Sequence, residues 1–313
     1  MTQYWVKYPK WHRKFRFYPG YEPLYAWWRQ RFARRYGMAV NVAVGLLDHF
    51  HCPLTRVEIE TLNRCNNDCS FCPVGVGRDT RTLAYMPDVL YSKIINELRD
   101  AGYKGGLYIS SNNEPLMDSR IVQRVREAKE KCPEAKTVIY TNGLLLKPEH
   151  RAMLPYLDTM MLDNYADDLR VLPPIRRFLE LLSQEEADRI VLLMRYKHDV
   201  LDTRGGQSGT RPHKPTIACS CTNPFSELVI TPTGEASLCC QDVFCKYPMG
   251  NVATSSIKEV WHGAKFAEAR RLLLERCREA YPICRECDFI RSTPVVDEDL
   301  RTYVPVRMEG LPK

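Results

Sequence analysis

Cys65, Cys69 and Cys72 stand in the run Cys65-Asn-Asn-Asp-Cys69-Ser-Phe-Cys72, a C-x3-C-x2-C spacing that begins where the alternation Val57-Glu58-Ile59-Glu60 ends. Three thiolates on one loop at the end of a predicted strand can ligate three irons of a 4Fe-4S cluster and leave the fourth iron without a protein ligand. The competing chemistry is a structural zinc ion completed by a distant fourth ligand. A second set lies downstream: twelve residues separate Cys221 from Gly234, four more separate Gly234 from Cys239, and a long gap leads to Cys284-Arg-Glu-Cys287. Four thiolates would ligate a second 4Fe-4S cluster completely, which suits electron transfer; a four-cysteine zinc ribbon is the alternative. Cys219 and Cys240 adjoin this set and compete as ligands, whereas Cys52, Cys132 and Cys277 read as plain buried thiols.

The elements that must position these cysteines are legible from Thr55 onward. A strand over 55–62 delivers the first cysteine loop, and Pro87 opens a helix that runs to about Gly102. Strands at 107–111, 137–140, 157–163 and 189–195 alternate with helices at 118–131, 148–154 and 167–183. That alternation predicts an α/β fold with parallel strands and right-handed crossovers, a partial (β/α) barrel whose chemistry sits at the C-terminal strand ends. Leu228-Val229-Ile230 and Ala236-Ser237-Leu238 flank Thr231-Pro-Thr-Gly234 as a hairpin. A helix over about 264–277 then returns to the last cysteine pair, which makes a small C-terminal β-hairpin/helix domain. Polar residues follow successive strands: Asn112-Asn113-Glu114-Pro115, Thr141-Asn142-Gly143, Asn164 and Arg195. Each alone reads as an ordinary capped loop; in register they read as one wall.

The cysteine loop, with Phe71 before its last cysteine, resembles the signature of the radical S-adenosylmethionine (SAM) superfamily. The resemblance implies that SAM chelates the open iron through its amino and carboxylate groups. One electron then cleaves it to a 5′-deoxyadenosyl radical that abstracts hydrogen from an inert C–H bond. It also implies that Asn113 and Glu114, at the family's Gly-Gly-Glu or Gly-Glu-Pro position with asparagine in place of glycine, help bind the SAM amino group. Asn142 would reach SAM, and Asn164 and Arg195 would serve its ribose and carboxylate. The set of Cys221, Cys239, Cys284 and Cys287 resembles the twitch domain, a shortened relative of the SPASM auxiliary-cluster domain.

Over about residues 55–290 the chain resembles radical SAM dehydrogenases of the butirosin type, which oxidise a secondary alcohol of an aminocyclitol. The likeness includes Ile139-Tyr-Thr-Asn-Gly143, Arg204-Gly-Gly206, Met249-Gly-Asn251 and Trp261-His262. It implies two 4Fe-4S clusters, SAM, an external one-electron reductant, a sugar-like substrate whose alcohol Arg204 orients, and the second cluster as electron acceptor. Cys240 and Cys245 are extra to the ligand pattern and keep another outcome open: a thiol returning hydrogen from the opposite face would make an epimer of a sugar or a peptide. A non-catalytic iron-sulfur protein that binds a partner is a third reading, and the intact cysteine triad argues against it.

Composition sets the outer limits. Residues 1–36 hold nine Lys or Arg against the single acid Glu22, and four of the five tryptophans, within a chain of formal charge +7. Leu24, Trp28 and Phe32 recur on one helical face of this basic, aromatic extension. Such a helix can lie in a membrane interface or meet an acidic glycan, or it can wrap the catalytic domain. Thirteen cysteines without a signal peptide point to reducing cytoplasm, with a peripheral membrane contact through the arm as an addition. No apolar run reaches the roughly 20 residues that span a bilayer, so no transmembrane segment is expected. The chain therefore divides into an extension (1–54), the radical SAM barrel (55–215), the auxiliary-cluster domain (216–290) and a tail (291–313).

Overall fold

Strands rich in Val, Ile and Leu on both pleat faces must be covered on both sides, and helices that cross from strand to strand supply the cover. The computed structural model describes residues 2–10, 21–49, 51–199, 202–208, 219–289 and 303–312. Residues 11–20 of the arm, the side chains of Trp28 and Phe32, and most of the tail lie outside the described residues. The elements are β1 (Gln3–Lys7), α1 (Tyr21–His49), β2 (Arg56–Ile59), α2 (Asp88–Asp100), β3 (Gly106–Tyr108), α3 (Ile121–Lys131), β4 (Lys136–Thr141) and β5 (Thr159–Tyr165). Then come α4 (Pro173–Leu179), α5 (Gln184–Ala187), β6 (Ile190–Arg195), α6 (Asn223–Ser226), β7 (Glu227–Ile230), β8 (Glu235–Ser237), β9 (Pro248–Asn251), α7 (Ile257–Trp261), α8 (Ala264–Leu274), α9 (Pro282–Arg285) and β10 (Val304–Arg307).

These strands form one sheet in the order β10-β1-β6-β5-β4-β3-β2-β7-β8-β9, open at β10 and β9. From β2 to β6 every neighbouring pair is parallel, as the alternation predicts. The sheet is thus a partial barrel in an α/β fold. Its outer face, with Val57, Leu107, Ile139, Leu162 and Leu192, packs with the helices into the main core. The opposite pleat face, with Tyr108, Val138, Met161, Val191 and Leu193, forms a second, smaller cluster inside the barrel.

Both ends of the sheet extend beyond the strands the sequence reading names. In β1, Tyr4 and Val6 are buried while Gln3 and Trp5 are exposed, and the strand pairs in parallel with β6 and antiparallel with β10. Residues 3–7, read from sequence as part of an extension, therefore extend the barrel's sheet. At the other end β7 runs parallel to β2, so the hairpin of the auxiliary region continues the same sheet. The helix expected over 167–183 begins only at Pro173, because a residue before proline is steered out of the α region and Leu172 is extended. The segment at Pro148–Tyr156 is a 3-10 helix with Pro155 inside it.

Candidate active site

The first cysteine loop opens into an open-mouthed cavity of about 360 Å³ at the C-terminal ends of β2 to β6. Cys65, Cys69 and Cys72 all line it, as do Phe71, Asn113, Glu114, Asn142, Arg195, Arg204 and Cys240. Burial pushes the Cys65 thiol up to about 12 and raises that of Cys69 further. Iron opposes that shift, since a metal binds the thiolate and releases the proton. Phe71 packs its ring 5.9 Å from that of Tyr165.

Glu114 ties two strand ends together. Its Oε1 accepts hydrogen bonds from Thr141 Oγ1 (2.6 Å) and Leu116 N (3.0 Å), and its Oε2 accepts one from Asn142 N (2.8 Å). Full burial pushes this carboxyl up to about 7 despite those three donors. Asn142 in turn donates to Asn66 Oδ1 (2.8 Å) and approaches Cys65 Sγ at 3.7 Å, so the turn after β4 touches the cysteine loop. Asn113, which lines the cavity, accepts from Ser111 N through Oδ1, while its buried Nδ2 has no hydrogen-bond partner among the described residues.

Two residues singled out from sequence are not in this site. Asn164 is fully buried with both ends of its amide used: Oδ1 accepts from Leu172 N and Nδ2 donates to Arg170 O, each at 2.8 Å. A strand's side chains alternate between faces, so Asp163 and Tyr165 line the cavity and Asn164 faces the helices. Asp163 pairs with Arg195 and so orients it along the cavity wall. That pair was recoverable in principle from the apolar positions of β5, since Met160 and Leu162 pack in the outer core and Met161 inside the barrel. Cys245, the other exception, is not among the residues lining the cavity; of the two extra thiols only Cys240 is. Sequence reasoning also passed over Arg56, whose Nε bonds Glu58 at 2.6 Å, and Ser111, whose hydroxyl donates to the same carboxylate at 2.7 Å.

Arg204 reaches the cavity from an unusual turn. Arg204, Gly205 and Gly206 all have positive φ, and only glycine enters that region at no steric cost. A Cβ at Gly205 would stand 2.1 Å from Ile283 Cγ1 and 3.0 Å from Ile283 O, so the turn presses directly on α9, which carries Cys284. Thr203 clamps the same contact, donating N–H to Asp288 Oδ1 (2.7 Å) and its hydroxyl to Glu286 O (2.6 Å). Burial opposes charge on Arg204, but Asp202 and the neighbouring thiols outweigh it and hold the guanidinium protonated.

Cys221, Cys239, Cys284 and Cys287 line a second, smaller and more enclosed cavity. Cys219 and Cys240 are not among its lining residues. Gln241 and Phe289 line both cavities and so form a shared wall. Soft thiolates arranged around a space are the donor set an iron-sulfur cluster takes. The all-thiol donor sets at both positions fit iron-sulfur clusters.

Comparison with known proteins agrees with this geometry. Residues 59–196 match the model of the radical SAM superfamily, and residues 219–288 match that of SPASM, an iron-sulfur cluster-binding domain. The chain carries a radical SAM domain and a SPASM domain. Its cofactors are 4Fe-4S clusters and SAM, and it is an oxidoreductase. It is 27% identical over 252 residues to the S-adenosyl-L-methionine-dependent 2-deoxy-scyllo-inosamine dehydrogenase of Niallia circulans, a match covering 80% of this chain and 98% of that protein. It is similar to the crystal structure of BtrN in complex with AdoMet and 2-DOIA, at 25% identity and a TM-score of 0.66, covering 76% of this chain and 94% of that one. Streptococcus suis SuiB bound to precursor peptide SuiA shares the fold alone, at 14% identity and a TM-score of 0.50 over 70% of this chain and 67% of that one.

Proposed function

We propose that this enzyme oxidises a secondary alcohol of an aminocyclitol or related sugar to a ketone. The reading rests on one observation: Arg204 lines the cavity from a turn that presses on the helix carrying Cys284. Likeness to a cyclitol dehydrogenase along nearly that protein's whole length supports it. When bound, SAM and its cluster supply the 5′-deoxyadenosyl radical, and the second cluster supplies an electron acceptor. Oxidising the carbinol would release a hydrogen atom, a proton to water and one electron. The first cluster would give up one electron to SAM and the second would take one, so the second must pass its electron outward or back to the first, and an external one-electron reductant supplies the first turnover.

In this scheme Cys65, Cys69 and Cys72 hold one cluster, and Cys221, Cys239, Cys284 and Cys287 hold the other. Phe71, Asn113, Glu114, Asn142 and Arg195 frame SAM, with the unpartnered Asn113 Nδ2 free to donate to it. Arg204 orients the alcohol and stabilises charge on its oxygen, since a guanidinium in these surroundings does not act as a base. Residues 55–215 serve as the radical-initiating unit and 216–290 as the electron-accepting one.

A second reading, epimerisation of a sugar or peptide, has one observation in its favour: the Cys240 thiol is in the cavity wall. Turnover of SAM with a panel of amino sugars in deuterated water separates the two. Dehydrogenation yields a product lighter by two hydrogens, with one 5′-deoxyadenosine per product. A product of unchanged composition carrying one solvent deuteron, and lost in Cys240→Ala, would overturn the dehydrogenase.

We assign the enzyme to the cytoplasm on its content of thirteen cysteines, a number suited to a reducing compartment where thiolates stay available for metal. No helix is long and apolar enough to cross a membrane. In α1, Leu24 and Trp27 are 64% and 56% exposed, and Arg31 stands 5.8 Å over the Trp27 ring. An exposed aromatic with a basic fringe fits a peripheral contact with an anionic membrane. Replacing the exposed Leu24 and Trp27 by serine and Arg31 by glutamate is expected to abolish sedimentation with phosphatidylserine vesicles, and equal sedimentation of both forms would remove the arm from this account.

A further inference from the structure

Arg278 is a charged side chain enclosed in the protein, 2% exposed, in the short turn that precedes α9. Its Nε donates to Cys219 O at 2.8 Å, its Nη2 to Ser220 O at 2.6 Å and its Nη1 to Phe289 O at 3.3 Å. All three acceptors are main-chain carbonyls, which aim the guanidinium without neutralising it. The buried Arg124 meets Asp118 and Asp88, whereas Arg270, which like Arg278 donates to main-chain carbonyls, is stacked 4.2 Å from the Trp261 ring. The neighbouring ionisable groups that act on Arg278 most strongly are the thiols of Cys221, Cys287, Cys219 and Cys284. Arg278 also lines the four-thiol cavity itself.

A buried cation without an anion is costly, and a fold that keeps one needs negative charge delivered to it. An all-thiolate cluster in that cavity is such a charge, and it gains one more unit of negative charge on accepting an electron. A fixed guanidinium beside it therefore stabilises the reduced form more than the oxidised one, because local charge, hydrogen bonding and burial set cluster potentials. We propose that Arg278 is a positioning residue that raises the reduction potential of the second cluster, so that it can take the electron left on the oxidised carbon. This rests on the assignment of that cluster as electron acceptor.

The experiment is an anaerobic redox titration of the reconstituted full-length protein, followed by electron paramagnetic resonance. Arg278→Gln and Arg278→Lys are each compared with native Arg278 in a background where Cys65, Cys69 and Cys72 are replaced by alanine. Arg278→Gln is expected to lower the reduced-to-oxidised ratio at a fixed poise by tenfold or more, about 59 mV for a one-electron couple. Arg278→Lys, which keeps the charge but not the fork of hydrogen bonds, is expected to stay within about threefold. An unchanged ratio in Arg278→Gln overturns the proposal, as does an equal fall in both variants, which would assign the effect to the hydrogen bonds. If the glutamine variant retains no cluster, the lysine variant decides. Its potential should fall as pH rises through the ammonium's titration while that of native Arg278 does not, and two parallel profiles overturn the proposal. Absence of any cluster with native Arg278 would instead sink the acceptor assignment on which the proposal stands.

Discussion

Cys69→Ala is expected to abolish release of 5′-deoxyadenosine and to lower iron from about eight to about four per reconstituted chain. The size of the effect follows from ligand count: in the proposed assignment three thiols hold the first cluster, and loss of one leaves two. The other thiol on the cavity wall cannot easily substitute. Cys240 Sγ accepts from Asn223 Nδ2 at 3.6 Å and Gln241 Nε2 at 3.9 Å, so it is held on the side shared with the second cavity. The second set is independent of Cys69, so the remaining iron should keep the absorbance of a cluster ligated by four cysteines. Iron assay and chromatographic measurement of 5′-deoxyadenosine check both halves. Full SAM cleavage by the variant would refute the ligand assignment, whereas iron falling to zero would mean the two clusters assemble as one unit.

Glu114→Gln is expected to slow SAM cleavage by roughly 10–100-fold, the equivalent of one hydrogen bond to a charged group at about 1.5–3 kcal/mol. An amide cannot satisfy this pocket. With its NH2 on the Oε2 side it faces the N–H of Asn142, and with its NH2 on the Oε1 side it faces the N–H of Leu116. Either orientation strands one backbone donor and loosens the turn that brings Asn142 to the cysteine loop. The same substitution should change the pH dependence of stability. The folded carboxyl titrates near 7, above the 4.5 of an unperturbed glutamate, because burial raises it. The folded chain therefore keeps a proton that the unfolded chain releases. The stability this contributes is fully present below about pH 4.5 and is lost as pH rises through 7, at up to about 1.4 kcal/mol per unit. Glutamine has no such proton. Urea unfolding at pH 5, 6, 7 and 8 should show wild type losing stability relative to the variant as pH rises, and parallel profiles would show Glu114 to be ionised throughout.

Much of the site was readable without coordinates because its chemistry is local in sequence. A thiol three or four residues from another on one loop reaches the same metal whatever the rest of the chain does, so Cys65, Cys69 and Cys72 announce themselves by spacing. Alternating strand and helix signals likewise predict the parallel order of β2 to β6, because crossover connections leave few other arrangements. Asn113, Glu114 and Asn142 were legible because they sit on turns directly after strands, where the direction of the chain is constrained.

Tertiary structure alone decided the features that depend on contacts between distant segments. Whether Asp163 or Asn164 enters the cavity turns on one step of strand pleat, and that register is set by which residues of β5 pack against the helices. The strand at Gln3–Lys7 has too little length to be distinguished from an extended arm until β6 and β10 supply its hydrogen-bond partners. Arg204 is aimed by a turn of positive φ in which the missing side chain of Gly205 leaves room for Ile283, almost 80 residues away. Arg278 looks like one more surface arginine in Arg276-Cys-Arg278-Glu, and its chemistry arises from being folded into a wall of thiols. Spacing along the chain determined which metals this protein can hold; the burial of charges across the chain decided how it can use them, because electrostatic cost depends on what surrounds a group in space rather than on what precedes it in sequence.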